Sequence, residues 1–157
     1  MKSLLEQIKA ARRVSTPLLA VTTADQGAAI AVLRDGLNGD IPVVMWDQGR
    51  GVRPLNKRGE AMLVKIEADL QALADMTLKI DTALNTALKF DADTVSFWFN
   101  AHRFVSERIE STSWLNLRDP YKSTRRTAIL LGPQFDLPIE LQQDIVIFDD
   151  PLPTDDR

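Results

Sequence analysis

The side chains in this chain that could do chemistry fall into a few short stretches. Asn100 and His102 sit in "FNAHRF", just after the most β-prone run of the sequence. Asn100 could hydrogen-bond a water, and His102 could accept a proton near neutral pH. The other reading of both is a turn that caps the end of a strand. Arg118, Lys122, Arg125 and Arg126 form a basic cluster around Asp119-Pro120-Tyr121. It could contact phosphate, nucleic acid or an acidic partner, with Trp114 and Tyr121 nearby for stacking. It could equally be a solvated connection, paired with Asp119 and Glu110. Gly49-Arg50-Gly51 with Arg53 is a smaller basic loop, and a single such loop is weak ground for an anion site. No catalytic set can be assigned, because the one histidine has no serine partner at a nucleophile-type turn. With no cysteine and one histidine, disulfides, thiolate chemistry and multi-histidine metal sites are excluded.

These residues need a frame, and the chain supplies one of alternating helices and strands. Ser3 to Arg13 has Leu4, Leu5 and Ile8 at helical spacing and ends in basic residues that suit the helix dipole. Pro17 to Thr22 reads as a short apolar strand. Thr23 is placed to cap a helix over Ala24 to Leu37. Ile41 to Trp46 is the next strand, followed by a glycine-rich loop, "DQGRGVRPLN". Glu60 to Phe90 is helical in composition, with an apolar stripe interrupted at Thr77, and it suits a helix packed across a sheet better than a partner-seeking coil. Thr94 to Phe99 is a strand, and Val105 to Leu117 is a helix expected to end before Asp119-Pro120. Arg126 to Leu131 and Asp144 to Phe148 are apolar runs joined by a compact helical turn, which suggests neighbouring buried strands.

Such alternation predicts an α/β fold of three layers, with about five mostly parallel strands covered by helices on both faces. Thr94 to Phe99 and Arg126 to Leu131 should be adjacent interior strands, with Trp46 and Trp98 in the core. At 157 residues with 45% hydrophobic content, the chain can bury a real core as one domain over residues 1–150, with 151–157 as an exit linker. The net charge of −3 argues against a dedicated nucleic-acid binder. No apolar run approaches the roughly 20 residues that span a bilayer, and the N-terminus lacks a cleavage site, so a cytoplasmic setting is the default expectation.

Four segments taken in order carry a family resemblance: "TPLLAVTT", "MWDQGRGVRPLN", "TVSFWFNAHRF", and the last forty residues from "WLNLRDPYKSTRRTAILLGP" to "IVIFDDPLP". Together they resemble the N-terminal, degenerate AAA-like domain of the chloroplast and cyanobacterial AAA-type ATPase family and its bacterial and phage relatives. The resemblance implies a P-loop-like, AAA-core-like topology. It places Asn100 and His102 where a working domain carries its acidic pair, and Gln134 where it carries a polar sensor.

Phosphate chemistry asks for more than this sequence offers. A P-loop needs glycines for close backbone approach, a lysine for the β/γ-phosphates and a Ser or Thr for magnesium. "TTADQGAAIAVL" has one glycine and no lysine, and Asp25 would repel phosphate. "IELQQD" offers no arginine finger. The expectation is therefore a fold without a working P-loop, without a cofactor of its own, in a non-catalytic domain that supports assembly or recruits targets. ATP and magnesium would belong to a C-terminal ATPase domain beyond this sequence. The implied partners are another protein, that ATPase domain, or further copies of the chain. The alternative is a free-standing adaptor or phage-type accessory binding protein.

Overall fold

The computed structural model describes residues 2–37 and 39–150. In chain order the elements are α1 (Leu4–Arg13), β1 (Leu18–Thr22), α2 (Gln26–Gly36), β2 (Val43–Asp47), β3 (Gly51–Pro54), α3 (Lys57–Ile66), α4 (Leu70–Met76), α5 (Ile80–Ala87), β4 (Val95–Trp98), α6 (Arg108–Thr124), β5 (Thr127–Gly132), α7 (Ile139–Gln142) and β6 (Val146–Asp149), with a short 3-10 turn at Ala101–Phe104. The strands form one six-stranded sheet in the order β3-β2-β4-β5-β1-β6. Every neighbouring pair is parallel except β2 with β3, which is an antiparallel hairpin.

Period-two alternation sorts the strand residues into two cores. Leu18, Ala20, Trp46, Trp98, Ala128 and Leu130 pack with Met62 and Leu63 of α3, Leu73 of α4, Leu84 of α5, Trp114 and Tyr121 of α6 and Leu141 of α7. On the other face Leu19, Val21, Phe97, Ile129 and Leu131 meet Ile8 of α1 and Ile30 and Leu33 of α2. The result is a three-layer α/β domain. One of its cores is built around aromatic rings: Trp98 lies between Trp46 and Trp114, with ring centroids 5.7 and 5.2 Å away. Burying rings of this size contributes up to about 4–6 kcal/mol each. An unpaired buried N–H would cancel about 1–3 kcal/mol of that. All three indoles avoid the loss: Trp46 donates to the Thr77 carbonyl, Trp98 to Ser96 Oγ and Trp114 to the Phe104 carbonyl.

β4 and β5 are the adjacent, fully buried interior strands that their apolar runs predict. Other expectations are corrected. The sheet has six strands rather than five, because part of the glycine-rich stretch folds as β3. Gly51 makes this possible: its φ is +73°, and a Cβ there would overlap the Ala74 carbonyl. The helical run over 60–90 is three helices. The first ends at Ile66 with Glu67 as its C-cap, Asp69 starts the second by accepting the Gln71 and Ala72 amides as an N-cap, and Thr77 ends it. Helix α2 starts at Gln26, and its cap is Asp25 rather than Thr23.

Helix α6 begins at Arg108, later than expected, and runs through Pro120 to Thr124 instead of ending before it. A mid-helix proline costs about 3 kcal/mol. Burial of Tyr121, whose hydroxyl donates to the Ala87 carbonyl at 2.8 Å, holds the last turn in place against that cost. Finally, β6 is not a buried neighbour of β5. β1 lies between them, and β6 is an edge strand with Val146 and Ile147 exposed. The expected exit linker at 151–157 lies outside the described residues.

Candidate functional site

Open α/β sheets bind ligands beyond the carboxyl ends of their strands, where neighbouring connections diverge. Here that point lies between β1 and β5. The chain leaves β1 towards β2 and leaves β5 across β1 to reach β6. Polar groups gather at this edge. Thr23 is buried; its amide donates to the Gly132 carbonyl at 2.9 Å, and its hydroxyl donates to Asp150 Oδ2 at 2.8 Å. The Thr22 hydroxyl donates to Asp149 Oδ1 on β6. Asp25 Oδ1 accepts the Ala28 amide at 3.0 Å and so occupies the positive end of α2 with a carboxylate. The backbone N–H groups that a helix N-terminus would offer to an anion meet this chain's own negative charge instead. With no lysine in the β1–α2 turn as well, the residues present do not fit a nucleotide phosphate.

The next strand end is closed in a similar way. Asn100, two residues beyond β4, adopts left-handed backbone geometry (φ 56°). Gln26 Nε2 donates to Asn100 Oδ1, and the Asn100 amide donates back to Gln26 Oε1, both at 2.8 Å. This two-bond clasp ties the first residue of α2 to the end of β4. The pair spans 74 positions, and Gln26 carried no signal in the sequence. His102 packs on the end of β5, where Gly132 leaves room: a Cβ at Gly132 would come within 2.7 Å of Nδ1. Nδ1 is buried without a hydrogen-bond partner among the described residues, and the ring stands edge-on to Phe135. Burial, helped by the neighbouring Arg103 charge, lowers the His102 pKa below the ordinary 6.5. Gln134 lies exposed on the loop after β5. Asn100, His102 and Gln134 thus lie along one edge of the sheet. Among the described residues, no group of three or more His, Asp or Glu is placed to hold a metal ion.

Residues 3–149 match the N-terminal domain of SpoVK-like AAA ATPases. The chain belongs to that family. The expectation of an N-terminal AAA-like domain is borne out across nearly the whole sequence. No curated protein matches the chain.

In this SpoVK-like domain the basic cluster lies at the opposite, amino-terminal edge of the sheet, and it does not form one face. Arg126 is buried. Its guanidinium donates to the Leu88 and Phe90 carbonyls at 2.9 and 3.0 Å and to Thr124 Oγ1 at 2.7 Å, and it stacks 4.6 Å above the Tyr121 ring. Arg118 pairs with Asp119 and with Asp144, but not with Glu110, whose carboxylate accepts the Glu107 amide at the start of α6. Lys122 and Arg125 are exposed. Arg125 faces Lys9, Arg12 and Arg13 across a small open cavity of about 200 Å³. The Arg12 guanidinium there donates to Thr127 Oγ1 and to the Asp93 carbonyl. The second basic loop is compensated as well, since Arg50 and Arg53 both pair with Asp47. Burial alone would raise the Asp47 pKa, but the Arg53 hydrogen bond and the two arginine charges bring it below the usual carboxylate range. No helix among the described residues is long and apolar enough to cross a membrane.

Proposed function

We propose that this chain is the non-catalytic N-terminal domain of a SpoVK-like AAA ATPase, and that it supports assembly or recruits targets in the cytoplasm. ATP binding and hydrolysis, with magnesium, would then belong to a C-terminal domain beyond this sequence. The observation that carries the reading is Asp25. Its carboxylate caps α2 at the place where a nucleotide phosphate would need free N–H donors. The Gln26–Asn100 clasp supports it, because Asn100 is committed to the protein and is no ligand for a magnesium-bound water. The His102 ring supports it as well: its buried Nδ1 is turned onto Gly132 rather than towards a substrate.

The test is direct. The purified chain is incubated with ATP and magnesium, and phosphate release is followed against a buffer control. No release above control is expected. Hydrolysis that His102→Ala abolishes would overturn the reading.

A further inference from the structure

Beside the β1–β5 edge, helices α1 and α2 leave an open groove of about 550 Å³, a size that accommodates a ligand. Leu4 and Leu5 form one wall, and Ala28, Ala29 and the half-exposed Val32 form the other. Asp25 and Asp150 also line it. A second, smaller cavity adjoins it, sharing Thr23, Ala24 and Asp150 and adding Asp149. Among the described residues neither cavity is lined by a lysine or arginine, and none of the three aspartates forms an ion pair.

Each wall and each charge has a consequence for what can bind. The apolar walls favour an aliphatic side chain, at about 25 cal/mol per Å² removed from water. The three carboxylates set the sign of whatever follows that side chain. Anions are repelled, while a cation one or two positions along an extended chain would meet these carboxylates. We propose that this groove docks an extended segment of a protein partner in which leucine-like residues alternate with Lys or Arg. The inference rests on the recruiting role proposed above and gives that role a surface and a sequence preference.

The experiment is a titration of the isotope-labelled chain with a capped hexapeptide, Ala-Leu-Arg-Leu-Lys-Ala, followed by amide chemical shifts. Saturable shifts are expected at residues 3–5 and 23–32. The charge-reversed peptide, with glutamate in place of both basic residues, should leave those amides unmoved. Asp25→Asn with Asp150→Asn keeps the cap and the Thr23 bond but removes two charges, and should weaken binding about tenfold. Ala28→Trp fills the groove from an exposed position of α2 and should abolish the shifts. Binding that is absent, maps elsewhere, persists in the Ala28→Trp chain, is indifferent to the aspartate changes or is shared by magnesium-ATP overturns the proposal. ATP hydrolysis by the chain would instead sink the non-catalytic reading, so the two failures are told apart.

Discussion

The indole of Trp46 donates to the main-chain carbonyl of Thr77 at 2.6 Å, joining the first strand of the hairpin to the break between α4 and α5. The Thr77 hydroxyl completes the junction. It accepts the Val52 amide of β3 and donates to the Leu73 carbonyl, both at 2.8 Å. A single buried threonine therefore serves strand, hairpin and helix end at once.

Thr77→Val keeps the shape of the side chain and removes that hydroxyl, leaving the buried Val52 amide without a partner. The expected loss is about 1–3 kcal/mol in a denaturant titration. Gly51→Ala should be worse, because positive φ and contact with the Ala74 carbonyl act together. If Thr77→Val leaves the midpoint where it was, the junction is not what holds β3 to the sheet.

Arg126 and Lys122 are neighbours in the sequence cluster and should behave differently. Arg126→Ala strands two carbonyls and uncovers Tyr121, with an expected cost of about 3 kcal/mol. Lys122→Ala should leave the thermal transition nearly unmoved. Equal effects would show that the buried guanidinium contributes no more than the exposed Lys122 ammonium.

Since His102 is the only histidine, it is the one side chain whose ordinary pKa puts its charge change between about pH 5 and 8. Its folded-state pKa lies below 6.5, so the unfolded chain binds more protons in the interval between the two values. Stability should therefore rise with pH through that interval and level off above it. His102→Gln should flatten the slope. Gly132→Ala, by pushing the ring off the end of β5, should return its NMR titration midpoint towards the ordinary value. A wild-type midpoint at or above 6.5 contradicts the buried placement.

Asp25→Ala removes the α2 cap and should cost about 1 kcal/mol, whereas Asp25→Asn should cost a few tenths at most. Thermal melts of the two variants separate capping from charge. An equal loss in both would mean that the negative charge, not the hydrogen bond, stabilises the helix end.

What could be read in the sequence follows from which forces act locally. The β4 and β5 runs are apolar at nearly every position, so their burial in the sheet interior was visible. Helix α1 was visible too, from Leu4, Leu5 and Ile8 at helical spacing, while the reciprocal capping box between Ser3 and Glu6 that fixes its start emerges only in the structure. Gly51-Val52-Arg53-Pro54 looks like a turn and becomes a strand only because Asp47 and Thr77 bind it from other elements. Pro120 looks like a stop signal and is overridden by the burial of Tyr121. Val146 and Ile147 read as core residues, yet pairing only with β1 leaves them at an open edge. At the site, Asn100, His102 and Gln134 could be placed because strand ends can be placed. The closure by Gln26 and the burial of Arg126 depend on contacts between distant parts of the chain, which no local pattern carries.

The position of β1 bears on how this domain comes into being. Both strands that flank it, β5 and β6, are supplied by residues 127–149, while β1 itself is residues 18–22. During synthesis the N-terminal strand emerges early and has no partner until nearly all of the domain has been made. The β2–β3 hairpin, whose strands are only a few residues apart, can close long before that. The β5-β1-β6 side of the sheet is therefore completed last, and a nascent chain stalled before residue 127 exposes an unpaired apolar strand, a state open to capture or aggregation.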